Sequence, residues 1–157
     1  MGLDLTLYAV PAANDINPDD AVDKWIELAY GRKTWFIWDY FKNLDTTTMI
    51  KDDQILTITK EAWEDFVGIL DRNRERIFDY VTFKEKIEYT TPTEDSLLQE
   101  RIKDSLFQQW YDDTFDTTPT LGYEWDARAM FRWLEANSEV RKYLNDPNYI
   151  VILEASY

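Results

Sequence analysis

Tyr149-Ile150-Val151-Ile152-Leu153 is an unbroken apolar run, preceded by the turn signal Asn145-Asp146-Pro147. A run that short, β-branched in its middle and without polar alternation, reads as a strand buried on both faces. Near the other end of the chain, Leu3, Leu5 and Leu7 alternate with Asp4, Thr6 and Tyr8. Period-2 alternation suits a half-buried strand, which Pro11 and Asn14-Asp15 then end. Gln54 to Ile58, apolar and β-branched, supplies a third candidate strand.

Between these segments the apolar spacing changes to that of a helix. Thr59 is a fitting cap for a helix whose apolar line runs through Trp63, Phe66, Val67, Leu70, Ile77, Phe78 and Val81, interrupted at Asn73-Arg74. Thr91-Pro92-Thr93 separates it from a second helix, Glu94 to Tyr111, with an apolar side of Leu98, Ile102, Leu106, Phe107 and Trp110. Asp112 to Gly122 reads as a loop rich in Asp, Thr and Pro. Tyr123 to Ala136 is helical again, and Ser138 caps a further turn or two up to Leu144. Arg32 to Leu44 is predicted helical, and Asn17-Pro18-Asp19-Asp20 is a good helix start. Val22 to Tyr30 fits a short helix or an extended segment. The expected fold is α+β, one domain over residues 1–157, with a small sheet of about three strands packed with four to five helices.

Composition removes many chemistries. The chain has 157 residues, a net charge of −14, no histidine and no cysteine. Ser-His-Asp and Cys-His nucleophile systems, Cys/His zinc sites, imidazole switches and thiol redox centres are all excluded. Carboxylates, lysines, arginines and tyrosines remain. No apolar run approaches the roughly 18–20 residues that cross a bilayer, so no membrane association is expected. Met1-Gly2 with Thr6 fits the loose myristoylation pattern, but a strand from Leu3 accounts for the segment better.

The acid is uneven. Residues 87–127 hold 10 acidic side chains and only Arg101 and Lys103 as bases, a net of −8, more than half of the whole imbalance. Such a block suits a basic protein surface and opposes direct contact with nucleic acid phosphates. The candidate partner-binding residues are Glu94, Asp95, Asp112, Asp113, Asp116, Glu124 and Asp126. A solvated face that keeps the protein soluble is the competing reading. Asp112, Asp113 and Asp116, with Glu124 and Asp126 downstream, are also dense enough to suggest Mg²⁺ or Ca²⁺. The spacing lacks the glycine and the final glutamate of an EF-hand, so a polar Asx-turn loop is expected there, with no metal and no cofactor.

Two further segments stand out. Trp35-Phe36-Ile37-Trp38-Asp39-Tyr40-Phe41 places five rings in seven residues, which on a helix cover every face. Core burial accounts for this, and a ring-bearing subunit contact is the alternative. Arg72, Arg74 and Arg76 alternate along a helix, so their guanidinium groups do not share a face, and Asp71, Glu75 and Asp79 are at hand to pair with them.

Met1-Gly2-Leu3-Asp4-Leu5-Thr6-Leu7-Tyr8 resembles the MGLDMYL opening of a family of small bacteriophage and prophage proteins. Glu27 to Phe41 is similar to that family's VAYWRKAN-IH-WF block, with Ala29-Tyr30, Arg32-Lys33, Ile37 and Phe41 matching in order. Trp38 stands where the family has histidine, so no histidine-dependent role carries over. Trp110-Tyr111-Asp112-Asp113 resembles a YDEWYxxD element without its flanking Gly-Ser-Thr. The resemblance implies a phage or prophage origin and no particular activity.

The expectation is therefore a phage-encoded acidic binding protein, cytoplasmic in the host. It would inhibit or modulate a host defence or nucleic-acid-processing protein through a basic surface on that partner. A structural or assembly protein acting through the aromatic helix, with self-association left open, is one alternative. A carboxylate-dependent hydrolase is the other. A concave pocket with converging carboxylates would favour the enzyme, and a flat or convex acidic surface the binding protein.

Overall fold

The β5 strand, Tyr149–Ser156, is the middle of the sheet. The computed structural model describes residues 4–12, 24–44, 48–50 and 55–156. Their strands are β1 (Asp4–Pro11), β2 (Ile26–Arg32), β3 (Thr48–Ile50), β4 (Ile55–Thr57) and β5, in the order β2-β1-β5-β4-β3. Every neighbouring pair is antiparallel. Val151, Ile152 and Leu153 are all buried, so successive side chains pointing to opposite faces both meet apolar surroundings. Val151, Leu153 and Ala155 join Leu5, Leu7 and Leu56 in the main core. Ile152 joins Val10, Trp25 and Ile55 in a smaller cluster.

Among the described residues six helices accompany the sheet: α1 (Trp35–Lys42), α2 (Lys60–Arg72), α3 (Arg74–Glu88), α4 (Glu94–Phe115), α5 (Tyr123–Glu135) and α6 (Asn137–Leu144). The described residues thus exceed the expected three strands and four to five helices. Ile26–Arg32 is extended because it pairs with β1, a tertiary choice that local spacing left open. Thr48–Ile50 is a three-residue strand held by β4, too short to carry a period. The long helix expected from Thr59 onward is two helices that break at Asn73, whose backbone leaves the helical region and whose Nδ2 donates to the Ile69 carbonyl at 2.8 Å. The expected helix start at Asn17-Pro18 lies outside the described residues.

The core is largely aromatic. Phe36, Ile37, Trp38 and Phe41 of α1 are buried, and Phe41 stacks on Trp63 with ring centroids 6.4 Å apart. Trp63 and Phe66 of α2 meet Trp133 of α5, and the Trp63 indole N–H donates to Asn137 Oδ1 at 2.9 Å. Thr59 caps α2 by accepting from the Ala62 N–H, as its sequence position implies. The rings of the α1 segment are thus committed to the interior on most sides, which leaves little of them for a subunit contact. Arg74 pairs with Asp71 at 3.0 Å, and the Arg76 guanidinium lies over the Trp110 ring.

Candidate functional site

The acidic block is built on α4, a 22-residue helix opened by a reciprocal cap between Thr93 and Ser96. Its inner face is the line Phe107, Tyr111, Phe115, whose four-residue spacing keeps them close to one side. Phe107 stacks on Tyr80 of α3, centroids 4.2 Å apart, and Tyr111 and Phe115 pack on Phe36 of α1. Nearer the start of α4 the contact with α3 is polar. Asp104 accepts from the Tyr80 hydroxyl at 2.8 Å and from Lys84 Nζ at 3.2 Å, and Lys84 also pairs with Glu100 at 3.7 Å.

This arrangement leaves an apolar line outside. Leu98, Ile102 and Leu106 are 54%, 46% and 58% exposed, contrary to the expectation that they pack inward with Phe107. The helix carries two apolar lines with the same four-residue spacing, and only the ring-bearing one is seated on the core. Period alone cannot rank two such lines; the larger ring area does.

The candidate acids divide into three groups. Glu94 and Asp95 are exposed in the first turn of α4, where they complement the positive end of the helix dipole. Asp112, Asp113 and Asp116 are exposed at the other end. The helix runs through Phe115, so Asp112 and Asp113 are helical residues and not part of the expected loop. The cause is the burial of Tyr111 and Phe115, which extends the helix beyond its polar signal. Asp116 is the C-cap, in the left-handed region at φ 48°. No base lies in the last turn to offset these three charges.

Glu124 and Asp126, in the first turn of α5, are not part of that open surface. Glu124 accepts from Arg128 at 2.7 Å, and Arg128 also reaches Glu85. Asp126 is fully buried and cannot meet a partner. Its Oδ2 accepts from the Tyr111 hydroxyl at 2.6 Å, and burial raises its carboxyl to about 7 although the Tyr111 bond pulls the other way. The Tyr111 hydroxyl is in turn pushed far above its ordinary value, by burial first and then by the Asp126 charge. Alternation of acid and apolar residues at 124–127 concealed this, because Asp126 shares the inward side with Ala127 and Met130.

A concave feature also exists. An open-sided groove of about 650 Å³ runs between α3, α4 and α5, lined by Glu88, Glu100 and Glu124 together with Lys84, Arg128, Trp125 and Tyr89. Two of its three carboxylates, Glu100 and Glu124, are in ion pairs with Lys84 and Arg128. Among the described residues no three acidic side chains are grouped so as to hold a metal ion. None of the described helices is long and apolar enough to cross a membrane. No protein-family model, curated protein or solved structure matches the chain.

Proposed function

We propose that this chain is a small acidic binding protein that docks on a basic surface of a host protein and inhibits or modulates it. The observation that carries the reading is the end of α4. Asp112, Asp113 and Asp116 are exposed at the negative end of the helix dipole, with no base in the last turn. Acids at that position cost the isolated protein roughly 0.3–1 kcal/mol each. Asp112 is partly offset by the Tyr123 hydroxyl, which donates to its Oδ1 at 3.0 Å. Asp113 and Asp116 break the local rule, and such a break is a mark of function. With Glu94 and Asp95 at the other end, the helix presents five exposed carboxylates. The resemblance to phage proteins suggests a phage-encoded modulator acting in the host cytoplasm, on a defence or nucleic-acid-processing protein.

The test is capture from host lysate with increasing salt, using the wild type and the variant E94Q/D95N/D112N/D113N/D116N. A host protein released steeply by salt and lost with the variant supports the reading. Retention undiminished by the variant overturns it.

The groove bordered by Glu88, Glu100 and Glu124 favours a second reading, a carboxylate-dependent hydrolase. It ranks lower because Glu100 and Glu124 are occupied by Lys84 and Arg128. Hydrolysis of a carbohydrate panel by the wild type and not by E100Q would reverse the ranking.

A further inference from the structure

The two acidic ends of α4 are in phase. Asp95 and Asp113 are 18 residues apart, which is five full turns, so both project on the same side about 27 Å from each other. Leu98, Ile102 and Leu106 lie between them within about 60° of that direction, each about half exposed. Arg101 and Lys103 point roughly 100° to either side of the middle of this line, and Lys103 Nζ is turned onto the Phe83 ring at 5.1 Å. The outer face is therefore a strip of three apolar side chains flanked by the exposed Gln99 and Gln109, each about 40° off its direction, with a carboxylate at each end.

We infer that this strip seats an amphipathic helix of the partner protein, apolar in its middle and basic at both ends, its basic groups about 27 Å apart. The inference rests on the acidic-binding reading above and specifies the partner surface. Charge decides the occupant. A second copy aligned antiparallel along the whole helix sets Asp95 against Asp113 at both ends, and a parallel one sets like on like. Two chains of net charge −14 add further repulsion. A basic-ended helix meets the strip with opposite charge at each end and apolar surface between.

The probe is a 22-residue helical peptide with three leucines spaced four apart at its centre and lysines 18 residues apart at its ends. Its controls replace the leucines with glutamine or the lysines with glutamate. Fluorescence anisotropy measures each against the wild type, L98Q/I102Q/L106Q and D95N/D113N. The substituted side chains are exposed, so the variants should fold, and circular dichroism checks this. The expected result is binding of the leucine-lysine peptide, at least tenfold weaker for the triple variant. For D95N/D113N it should be weaker and less salt-dependent. No binding of the glutamate peptide is expected. Equal affinity for the leucine-free lysine peptide overturns the inference and leaves the acidic-binding reading standing. Failure of the wild type to bind either lysine peptide at low salt overturns the inference, while lysate capture decides the broader reading separately. A wild-type dimer in sedimentation that the triple variant abolishes gives the strip to a second copy, and also overturns the inference.

Discussion

The Tyr111 hydroxyl donates to Asp126 Oδ2 at 2.6 Å with both residues fully buried, and this bond joins α4 to α5 inside the core. The other oxygen, Oδ1, has no hydrogen-bond partner. A carboxyl group so placed favours its protonated form, and burial accordingly raises it to about 7.

Stability should therefore depend on pH through Asp126. In the unfolded chain the carboxyl titrates near 3.8, so between that value and about 7 the folded state holds a proton that the unfolded state has lost. The contribution of Asp126 to stability is full below that window, falls as pH rises through it and is level above. Asp126→Asn keeps an acceptor for Tyr111 and removes the charge. Urea unfolding at pH 8 should show the variant more stable by roughly 2–4 kcal/mol, with the gap closing toward pH 4.

Tyr111→Phe removes the hydrogen bond that Oδ2 accepts. The expected loss is about 1–3 kcal/mol, larger at pH 8 than at pH 5 because the charged form needs the donor more. Thermal melts at the two pH values check both sign and order.

Gly31 of β2 faces Thr34 and Trp133. A Cβ there would stand 2.5 Å from Thr34 Oγ1 and 3.3 Å from Trp133 Nε1, and Thr34 is fully buried. Gly31→Ala should cost roughly 1–3 kcal/mol by overpacking. Removing the hydroxyl with Thr34→Ala in the same chain should return part of the loss, which a double-mutant cycle in urea measures.

Asp116 holds a left-handed conformation at φ 48° that strains a residue with a side chain. Asp116→Gly should stabilise the protein by about 1 kcal/mol. Its denaturation midpoint should rise while the far-ultraviolet spectrum stays unchanged.

Asp113→Asn should raise stability by roughly 0.3–1 kcal/mol, by relieving repulsion at the negative end of α4. Asp112→Asn should gain less, because it also weakens the hydrogen bond accepted from the Tyr123 hydroxyl at 3.0 Å. The same pair should weaken capture of the partner. Opposite signs in the unfolding and binding assays are the outcome to look for.

The parts of the fold that could be read from the chain are those where one side of an element is apolar and the other polar. Trp63, Phe66, Val67 and Leu70 announce the buried side of α2, and Tyr149–Leu153 announces a strand covered on both faces. What escaped was decided by tertiary contact. Ile26–Arg32 becomes a strand because β1 is there to pair with it, and α4 buries Phe107 rather than Leu106 because α3 offers a Tyr80 ring. Of the candidate site, the exposed acids on α4 were legible as charge density. Asp126 was not, because its burial depends on Tyr111, fifteen positions earlier in the chain. The apolar strip was visible as residues and misplaced as a face.

The sheet also dictates an order of assembly. β5 pairs with β1 over its whole length, Asp4 opposite Ser156 and Pro11 opposite Tyr149, and with β4 on its other side. Closing contacts that distant in sequence is slow, whereas the helices from α2 to α6 gain most of their early contacts locally. During synthesis β1 and β4 must then wait with their inner edges unpaired until β5 emerges. A chain stopped before Tyr149 would keep both edges open, and such edges invite pairing between molecules. Loss of β5 should therefore appear as aggregation of the nascent protein and not as a milder, soluble defect.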